Sequence, residues 1–411
     1  MLSSLILADS LVNMTKPPER SLSKFTMGIG PLLICGFSVP VSNSMIFPAL
    51  SDLQDKYGFN NAGLGMIAAA GFFTAFVLQL FLAPYADRGK PKHFVLAALV
   101  LAAIGSTMFA FGNTLWMFVV ARAITGASLG TSGPAIRAIV ANIDRSRAAE
   151  RLGRLRGIEL AGFTGGPLIG ALLIGPFGLR GAFLIFTVVA LAAFFIVLPR
   201  HIPSLPTTKE SKQLSFGLLR LAPVRAAALA SLTLFLPIGI YDALWDRYVT
   251  DRGGNNFMVG LTFLLYTIPF ILFGAAGGRL SDKHGAHRIA VIGIFITAPL
   301  VFVYGILQNA WLLVGFAVIE GTIGAMSIPA TQSLMAKVAP LGRASAAQGI
   351  AGSGDLLAAT IVSLIAPMLY GSFGPAVTFG SAAALMLISG TAVALMLRTT
   401  AVTEQSAATN R

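Results

Sequence analysis

The stretch GGRLSDKHGAHR, residues 277–288, decides how this chain folds. The run that precedes it, from Gly253 to Gly278, holds no charged residue, and neither does the run that follows it, from Ile289 to Ile319. A short basic loop with a single acid, placed between two long apolar runs, is typical of the turn between two membrane helices.

A second, less regular copy of this loop lies in the first half of the chain, at Ala83–Lys92, where Asp87 corresponds to Asp282. The same offset pairs further residues of the two halves: Arg88 with Lys283, Asn60 with Asn255, Gly65 with Gly260, Trp116 with Trp311, Gly126 with Gly321, and Pro134 with Pro329. An offset one residue longer pairs Phe177 and Gly178 with Phe373 and Gly374. Offsets held this far along the chain predict two related halves.

The composition places most of the chain in lipid. Of the 411 residues, 55% are hydrophobic and 11% are charged, whereas soluble domains carry about 25% charged residues. Backbone groups in lipid must be satisfied within a helix or a closed barrel, and the apolar runs lack the alternation of strands. We therefore predict an all-α integral membrane protein with twelve transmembrane spans, numbered in chain order: 27–51, 62–86, 94–112, 114–137, 153–175, 180–198, 225–249, 257–280, 289–307, 310–336, 344–370 and 375–397.

The spans form two pseudo-symmetric six-helix halves, 27–198 and 225–397, which are joined by a polar linker at 199–224 and flanked by tails at 1–26 and 398–411. If the N-terminus is inside, the outer side receives only four of the 29 lysines and arginines, namely Lys56, Arg180, Arg247 and Arg252. Arg122 lies within span 4, and all the other cations are cytoplasmic. The positive-inside rule then predicts that both termini and the linker face the cytoplasm.

Several other function classes are excluded by the pattern. The net charge of +13 is explained by the inner loops, so no nucleic-acid partner is predicted. The sequence GASLG at 126–130 matches a hydrolase nucleophile motif, but it lies inside a span rather than at a strand–turn–helix junction. There is no phosphate-binding loop and no H-E-x-x-H pair, and the four histidines all lie in predicted cytoplasmic loops. We expect no enzyme, no metal and no cofactor.

Charged residues inside the spans are the candidate functional groups. Arg122 lies in span 4, and a cation at that depth costs at least about 2.5–3.5 kcal/mol, so it should face a partner or a watery cavity. Four acids that lie further from the span edges are singled out, namely Glu159 in span 5, Asp242 in span 7, Glu320 in span 10 and Asp355 in span 11. Counted from the predicted edges, Glu320 and Asp355 lie near the midplane, Glu159 nearer the cytoplasm and Asp242 nearer the outer side. Each acid could instead be a satisfied contact between helices.

Span 5 carries the most specific pattern, which consists of Gly153, Gly162, Gly166, Pro167 and Gly170, with Ala171 in place of a final glycine. The small residues recur every four positions and allow a neighbouring helix to pack closely, and the proline permits a kink.

With these loops, the Arg122 helix and this pattern, the chain resembles the major facilitator superfamily of secondary transporters over nearly its whole length. The loop motif of that family matches Gly278, Leu280, Asp282, Lys283, Gly285 and Arg288. The first copy departs from it, because Ala83 replaces the leading glycine and Gly89 comes one residue early.

The resemblance implies a function. In that family the span-5 pattern is associated with antiport, especially with drug–proton efflux. We therefore expect proton-coupled export of a small organic molecule by a monomer in the cell membrane, with the proton gradient as the energy source. Uptake by a symporter or facilitator of the same fold is the alternative, and a membrane-embedded sensor or assembly subunit is a third reading.

The resemblance also implies roles for residues. Spans 1, 4, 7 and 10 line the cavity of these transporters, which makes Asn43, Ser44, Arg122, Asp242 and Glu320 cavity candidates. Asp282 and Asp87 are expected to hold one gated state rather than to bind substrate. The gating loops that contain them are represented by Asp87, Arg88, Gly278, Asp282, Lys283, Gly285 and Arg288. An ionised carboxylate at the midplane is costly, so we expect Glu320, or otherwise Asp355, to carry the coupling proton, with Arg122 tuning it.

Overall fold

The computed structural model describes residues 29–86, 90–143, 148–202, 215–340 and 344–409, and within these ranges the chain forms only helices and the turns between them. The helices follow the predicted spans. Their bounds are Ile29–Ser44 and Leu50–Tyr57 for span 1, Asn61–Ala86, Pro91–Phe111 and Leu115–Ile143 for spans 2 to 4, Ala148–Val197 for spans 5 and 6, Ala222–Asp251, Asn256–His284, Ala286–Ile306 and Ala310–Val338 for spans 7 to 10, and Ala344–Thr409 for spans 11 and 12.

Two glycines divide the longest helices at equivalent places. Gly178 has φ 65° and ψ 174° within Ala148–Val197, and Gly374 has φ 78° and ψ 178° within Ala344–Thr409. A positive φ is open to glycine at little cost, so the chain reverses at both points without a long loop. Each glycine follows a phenylalanine, and the two dipeptides are repeat partners in the sequence.

By length and hydropathy, the described helices account for eleven of the twelve predicted spans. Among the described residues, nine helices are long and apolar enough to cross a membrane. Two of these nine contain the glycine breaks, which makes eleven spans. The predicted span 4 is the twelfth, and it corresponds to the 29-residue helix Leu115–Ile143, whose middle carries Arg122 and several small and polar residues.

Span 1 differs from its prediction, because it is not one continuous helix. The first helix ends at Ser44, a 3-10 turn covers Phe47–Ala49, and a second helix runs from Leu50 to Tyr57. Pro48 has no backbone N–H, so it cannot donate to the carbonyl of Ser44 and continue the helix. The break gives span 1 a second helix N-terminus near its outer end.

The polar segments also differ in part from their predictions. The linker holds a 3-10 helix at Ser215–Arg220, and residues 203–214 lie outside the described part. At the end of the chain, the helix continues through Thr409, beyond the predicted edge of span 12.

The two halves meet along two symmetry-related pairs of helices, span 2 with span 11 and span 5 with span 8. Gly65 lies against span 11, where an added Cβ would be 2.8 Å from the carbonyl oxygen of Ser363. Gly260, its repeat partner, lies against span 5, where an added Cβ would be 2.6 Å from the Cα of Leu168. Small residues let membrane helices approach closely, and here the same repeat position does so on both sides.

The outer surface of the bundle is apolar, as expected for a protein solvated by lipid. Large hydrophobic side chains such as Ile271 and Ile388 are exposed. The repeat partners Trp116 and Trp311 are also exposed and stand at the first turns of spans 4 and 10, the place where tryptophans collect at a membrane interface.

Candidate functional site

The centre of the molecule holds an ion pair between the two halves. Arg122 of span 4 and Asp242 of span 7 have side chains only 2% exposed. Nη2 of Arg122 lies 2.9 Å from Oδ1 and 2.8 Å from Oδ2 of Asp242. Hydrogen bonds between charged groups are about twice as strong as those between neutral groups. Because both side chains are buried, this pair ties spans 4 and 7 together.

Residues of spans 1 and 2 complete the surroundings of Arg122. Its Nη1 donates to the backbone oxygen of Asn43 and, at 3.2 Å, to Oδ1 of the same residue. The ring of Phe47 lies 5.4 Å from the guanidinium carbon. Gly71 leaves space for the arginine, because an added Cβ there would be 2.6 Å from Nε. Asn43, Arg122 and Asp242 were all predicted cavity residues, and the structure brings these three together.

Arg122 has a partner that the sequence analysis did not name. That analysis expected Arg122 to tune a coupling proton on Glu320 or Asp355, which stays a prediction. In the structure Asp242 takes both hydrogen bonds of Nη2, while the preceding residue, Tyr241, contacts Glu320. Because consecutive residues of span 7 reach Arg122 and Glu320, the three charged groups lie at similar depth.

Glu320 lies in a pocket of the second half. Its carboxylate is 4% exposed and accepts a hydrogen bond of 2.7 Å from the hydroxyl of Tyr241. The pocket measures about 10 Å³ and is lined by Tyr266, Thr297 and Ser327, among others; a space of this size is near the limit for one water molecule. Glu320 forms no salt bridge with any described residue.

The other two buried acids make separate contacts. Asp355 of span 11 accepts from the hydroxyl of Ser231 in span 7 at 2.9 Å, and its second oxygen is buried with no partner among the described residues. Glu159 pairs with Arg137 of span 4 at 3.2 Å and with Arg156 at 3.3 Å. Neither acid reaches the Arg122 pair, so the structure separates the candidates into a central group and two outlying sites.

The span-5 glycines pack against span 1. An added Cβ on Gly162 would be 2.7 Å from the carbonyl oxygen of Phe37, and one on Gly170 would be 2.9 Å from that of Met45. Gly166 is closest to the hydroxyl of Ser44. On another side, Pro167 and Leu168 meet Gly260 of span 8. The motif therefore packs span 5 against its own half and against the other half at once, and Gly153 lies at the start of the same helix.

The loop between spans 8 and 9 is held within the second half. Asp282 pairs with Lys337 at the end of span 10 at 3.1 Å, and both side chains are more than half exposed. Gly285, with φ 94°, ends span 8 and makes the turn. Gly277 lies close to Ala325 of span 10, whereas an added Cβ on Gly278, the leading glycine of the loop motif, would have no neighbour within reach. Lys283 and Arg288 are exposed on the same loop, and Asp87 and Arg88 lie outside the described residues.

At the end of the molecule predicted to be outer, polar residues join the halves. Asp55 pairs with Arg247 at 2.7 Å. Asp52 accepts from Asn256 at 2.7 Å, and Ser51 contacts Asp246. Sequence reasoning missed these contacts. The signal that could have indicated them is the segment Leu50–Tyr57, which carries two acids and one amide, Asp52, Asp55 and Gln54. The sequence analysis treated this segment as the edge of the membrane.

Two related six-helix halves, with buried charges where they meet, form the architecture of secondary transporters that rock about a central site. The chain belongs to the Major Facilitator Superfamily, whose sequence profile matches residues 32–245 and 227–411. It is therefore a multi-pass membrane transporter rather than an enzyme.

Relatives and solved structures agree with this assignment. Multidrug resistance protein MdtG of Salmonella paratyphi C (strain RKS4594) is 24% identical over 307 residues, which cover 71% of this chain and 76% of that protein. MdtG of Dickeya zeae (strain Ech586) is 26% identical and covers 71% of this chain and 75% of that protein.

Among solved structures, a mutant of the nucleoside transporter NupG matches with a TM-score of 0.73 at 15% identity, covering 89% of this chain and 98% of that one. A bacterial homolog to the human lysosomal transporter Spinster, in an inward-facing and occupied conformation, matches with a TM-score of 0.71 at 12% identity, covering 90% and 96%. At these identities the two structures support the fold alone.

Proposed function

We propose that the chain exports small organic molecules from the cell in exchange for protons. Two observations support the direction and the substrate. The similar MdtG proteins are named for multidrug resistance, and the span-5 pattern resembles that of antiporters. The cation distribution, with both termini and the linker inside, supports an orientation in the cell membrane in which the outer end is the one closed by Ser51, Asp52 and Asp55.

The observation that carries proton coupling is the environment of Glu320. Its carboxylate is buried and accepts a hydrogen bond from the phenol of Tyr241, and no described lysine or arginine pairs with it. An ionised carboxylate without a cation is costly in such a place, so we expect Glu320 to hold a proton while its pocket is closed. Asp242 differs, because Arg122 already compensates its charge. Glu320 is therefore the first candidate for the coupling proton and Asp355 the second.

The ion pair supports alternating access. Arg122 and Asp242 belong to opposite halves, so rocking the halves about the central site must stretch or break their contact. Breaking a buried pair is costly unless water or another group replaces it. The pair can therefore favour one closed arrangement until substrate or proton changes the charge balance beside it, which links occupancy of the site to movement of the halves.

Transport in reconstituted vesicles tests the proposal. A panel of labelled antibiotics, dyes and nucleosides first identifies a substrate, and an imposed proton gradient then drives its accumulation. Glu320→Gln is expected to abolish gradient-driven accumulation while downhill exchange of the substrate continues. The matched control is Asp251→Asn, which neutralises an exposed acid of the outer end and should keep gradient-driven transport.

If Glu320→Gln and Asp355→Asn both keep full gradient-driven transport at every pH, the facilitator alternative replaces the antiporter. Accumulation in the direction of proton flow instead of against it identifies the uptake symporter. A chain that moves none of the compounds, in either direction, favours the sensor.

A further inference from the structure

We infer that Asp246 is a positioning residue of the transport cycle, which keeps the outer end closed by capping a helix of the opposite half. The inference rests on the proposed function for its place in transport, and on contacts of span 1 with span 7 for its mechanism. It concerns a residue that is separate from the Arg122 pair and from Glu320.

The capped helix is the second part of span 1, Leu50–Tyr57. Its N-cap residue, Ala49, has no side chain that can accept a hydrogen bond from the helix. The first N–H groups of a helix have no partner inside the helix. Ser51 is the second residue, and its backbone N–H donates to Oδ2 of Asp246 at 2.5 Å. Asp246 of span 7 thus provides the cap that the local sequence lacks.

The hydroxyl of Ser51 strengthens the same contact, since it lies 2.8 Å from Oδ2 of Asp246 and 3.3 Å from the hydroxyl of Thr250. Asp246 is 2% exposed and Ser51 is 1% exposed, so water does not compete for these bonds. The helix N-terminus also carries partial positive charge, which favours a carboxylate at this position.

The position of the contact explains why it acts on the outer end as a whole. Ser51 and Asp246 are repeat partners under the offset that pairs Asp87 with Asp282. Residues that contact their own repeat partner lie on the pseudo-twofold axis between the halves. Separation of the halves at this end must therefore break the contact. At this repeat position the first half has the hydroxyl of Ser51 and the second half has the carboxylate of Asp246.

The cap is also readily reversible. Oδ1 of Asp246 is buried and has no hydrogen-bond partner among the described residues. The carboxylate thus gives up hydration at one oxygen while it gains two donors at the other, and desolvation offsets part of the gain. A contact balanced in this way can close the outer end and still open within a transport cycle.

The distance between the halves at the outer end tests the inference in lipid nanodiscs, without substrate or gradient, so the result does not depend on export. Spin labels are placed on Asn113→Cys and Gln308→Cys, which are repeat partners exposed in the turns before spans 4 and 10. Cys35 is fully buried and can stay in place.

A capping role predicts a specific order of variants. Asparagine caps helices about as well as aspartate and alanine does not, a difference of about 1 kcal/mol that corresponds to about fivefold in an equilibrium. We expect Asp246→Ala to raise the ratio of open to closed populations about fivefold, and Asp246→Asn to change it less than about twofold. Ser51→Ala, which removes only the hydroxyl, should fall between them.

The matched control is Asn60→Ala, which removes a helix cap inside one half. Oδ1 of Asn60 accepts from the backbone N–H of Gly63 in the first turn of span 2, so its loss should leave the distance distribution between the halves unchanged. The capping role is excluded if Asp246→Ala shows the wild-type distribution, or if Asp246→Asn opens the outer end as much as alanine does. Should Asp246→Ala fail to yield folded protein, Asp246→Leu takes its place, because leucine fills the space but accepts no hydrogen bond, and an unchanged distribution in that variant excludes the role equally.

Discussion

The two halves share their helix packing but differ in the chemistry that they place at equivalent positions. Gly126 of span 4 lies against the backbone oxygen of Gly71, and its repeat partner Gly321 of span 10 lies against that of Tyr266. Gly71 and Tyr266 are themselves repeat partners. The same close crossing of two helices is therefore present in both halves.

The side chains at these crossings differ in size and charge. In the first half the small residue Gly71 makes room for Arg122. In the second half, Tyr266 occupies the repeat position of Gly71, and Ala317 occupies the repeat position of Arg122. The first half thus places a cation at the centre, and the second half places acids and phenols there.

This difference shows how a symmetric scaffold can hold an asymmetric site. Backbone packing fixes the position of the halves, and substitutions at a few repeat positions then separate the charges. Because Arg122 and Asp242 come from different halves, the distance between their charges depends on how the halves are placed relative to each other. The attraction between the charges can therefore favour one placement of the halves. A pair within one half could not do so.

The largest expected effect is the loss of one partner of that pair. Asp242→Ala leaves Arg122 buried without a counter-charge, which costs about 3–5 kcal/mol. We expect a strongly lowered thermal unfolding temperature in detergent and no measurable transport in vesicles.

The double variant Arg122→Met with Asp242→Leu is the control, because apolar groups of similar volume often replace a buried ion pair without loss of stability. It should recover most of the unfolding temperature and none of the transport. Wild-type transport in either variant would show that the pair is not part of the site.

The second effect concerns the shared crossings. An added Cβ on Gly126 or Gly321 would overlap a backbone oxygen, and overpacking of this kind costs about 1–3 kcal/mol. Gly126→Ala and Gly321→Ala should therefore lower thermal stability by similar amounts. A stable Gly321→Ala beside an unstable Gly126→Ala would contradict the equivalence of the two crossings.

Gly71→Ala sharpens the same comparison, because its Cβ would meet a side chain, the Arg122 guanidinium, instead of backbone. We expect a larger loss of transport, relative to the loss of stability, than for Gly126→Ala. The ratio of initial transport rate to folded protein measures this, and equal ratios for the two variants would remove the special role of Gly71.

A smaller effect is expected at the phenol of the second half. Tyr241→Phe removes the hydrogen bond to Glu320, which is worth about 1.5–3 kcal/mol when the acceptor is charged and about 1 kcal/mol when it is neutral. If Glu320 holds a proton in the closed pocket, transport should fall only a few-fold and keep its dependence on the proton gradient. A loss as complete as that of Glu320→Gln would show that the phenol itself takes part in coupling.

Much of the fold follows from local features of the sequence. The charged loops, the apolar run lengths and the repeat offset are each short-range or periodic, and they locate the helices and the two halves. The close packing of Gly162, Gly166 and Gly170 could be predicted for the same reason, since spacing every four residues defines one face of a helix. The sequence could not tell which helix that face meets.

The site could be predicted in part. The cost of a cation in lipid shows that Arg122 needs a partner, yet several acids lie near its depth, and the choice depends on how two halves are rotated about each other. Counting residues from the membrane edges is accurate to several positions, which exceeds one helical turn, so it could not decide which of these acids reaches Arg122. Asp246 lies inside the predicted span 7 but only three residues from its edge, so its charge was not singled out. Its partner could not be predicted, because it is mainly a backbone N–H that is free only where Pro48 interrupts span 1.

The smallest effect on stability is expected in the loop between spans 8 and 9, which is predicted to be cytoplasmic and has its repeat copy between spans 2 and 3. Asp282 and Lys337 are 72% and 54% exposed, and an exposed pair contributes about 0–1 kcal/mol. Asp282→Asn should therefore leave the unfolding temperature nearly unchanged. We still expect it to slow turnover while substrate affinity stays close to wild type, because the loop lies away from the central site and Asp282 is expected to hold one gated state. Asp87→Asn, in the less regular copy, should slow turnover less. Initial rates at several substrate concentrations separate the two quantities, and a large loss of affinity with normal turnover in Asp282→Asn would place that residue in the binding site instead of the gate.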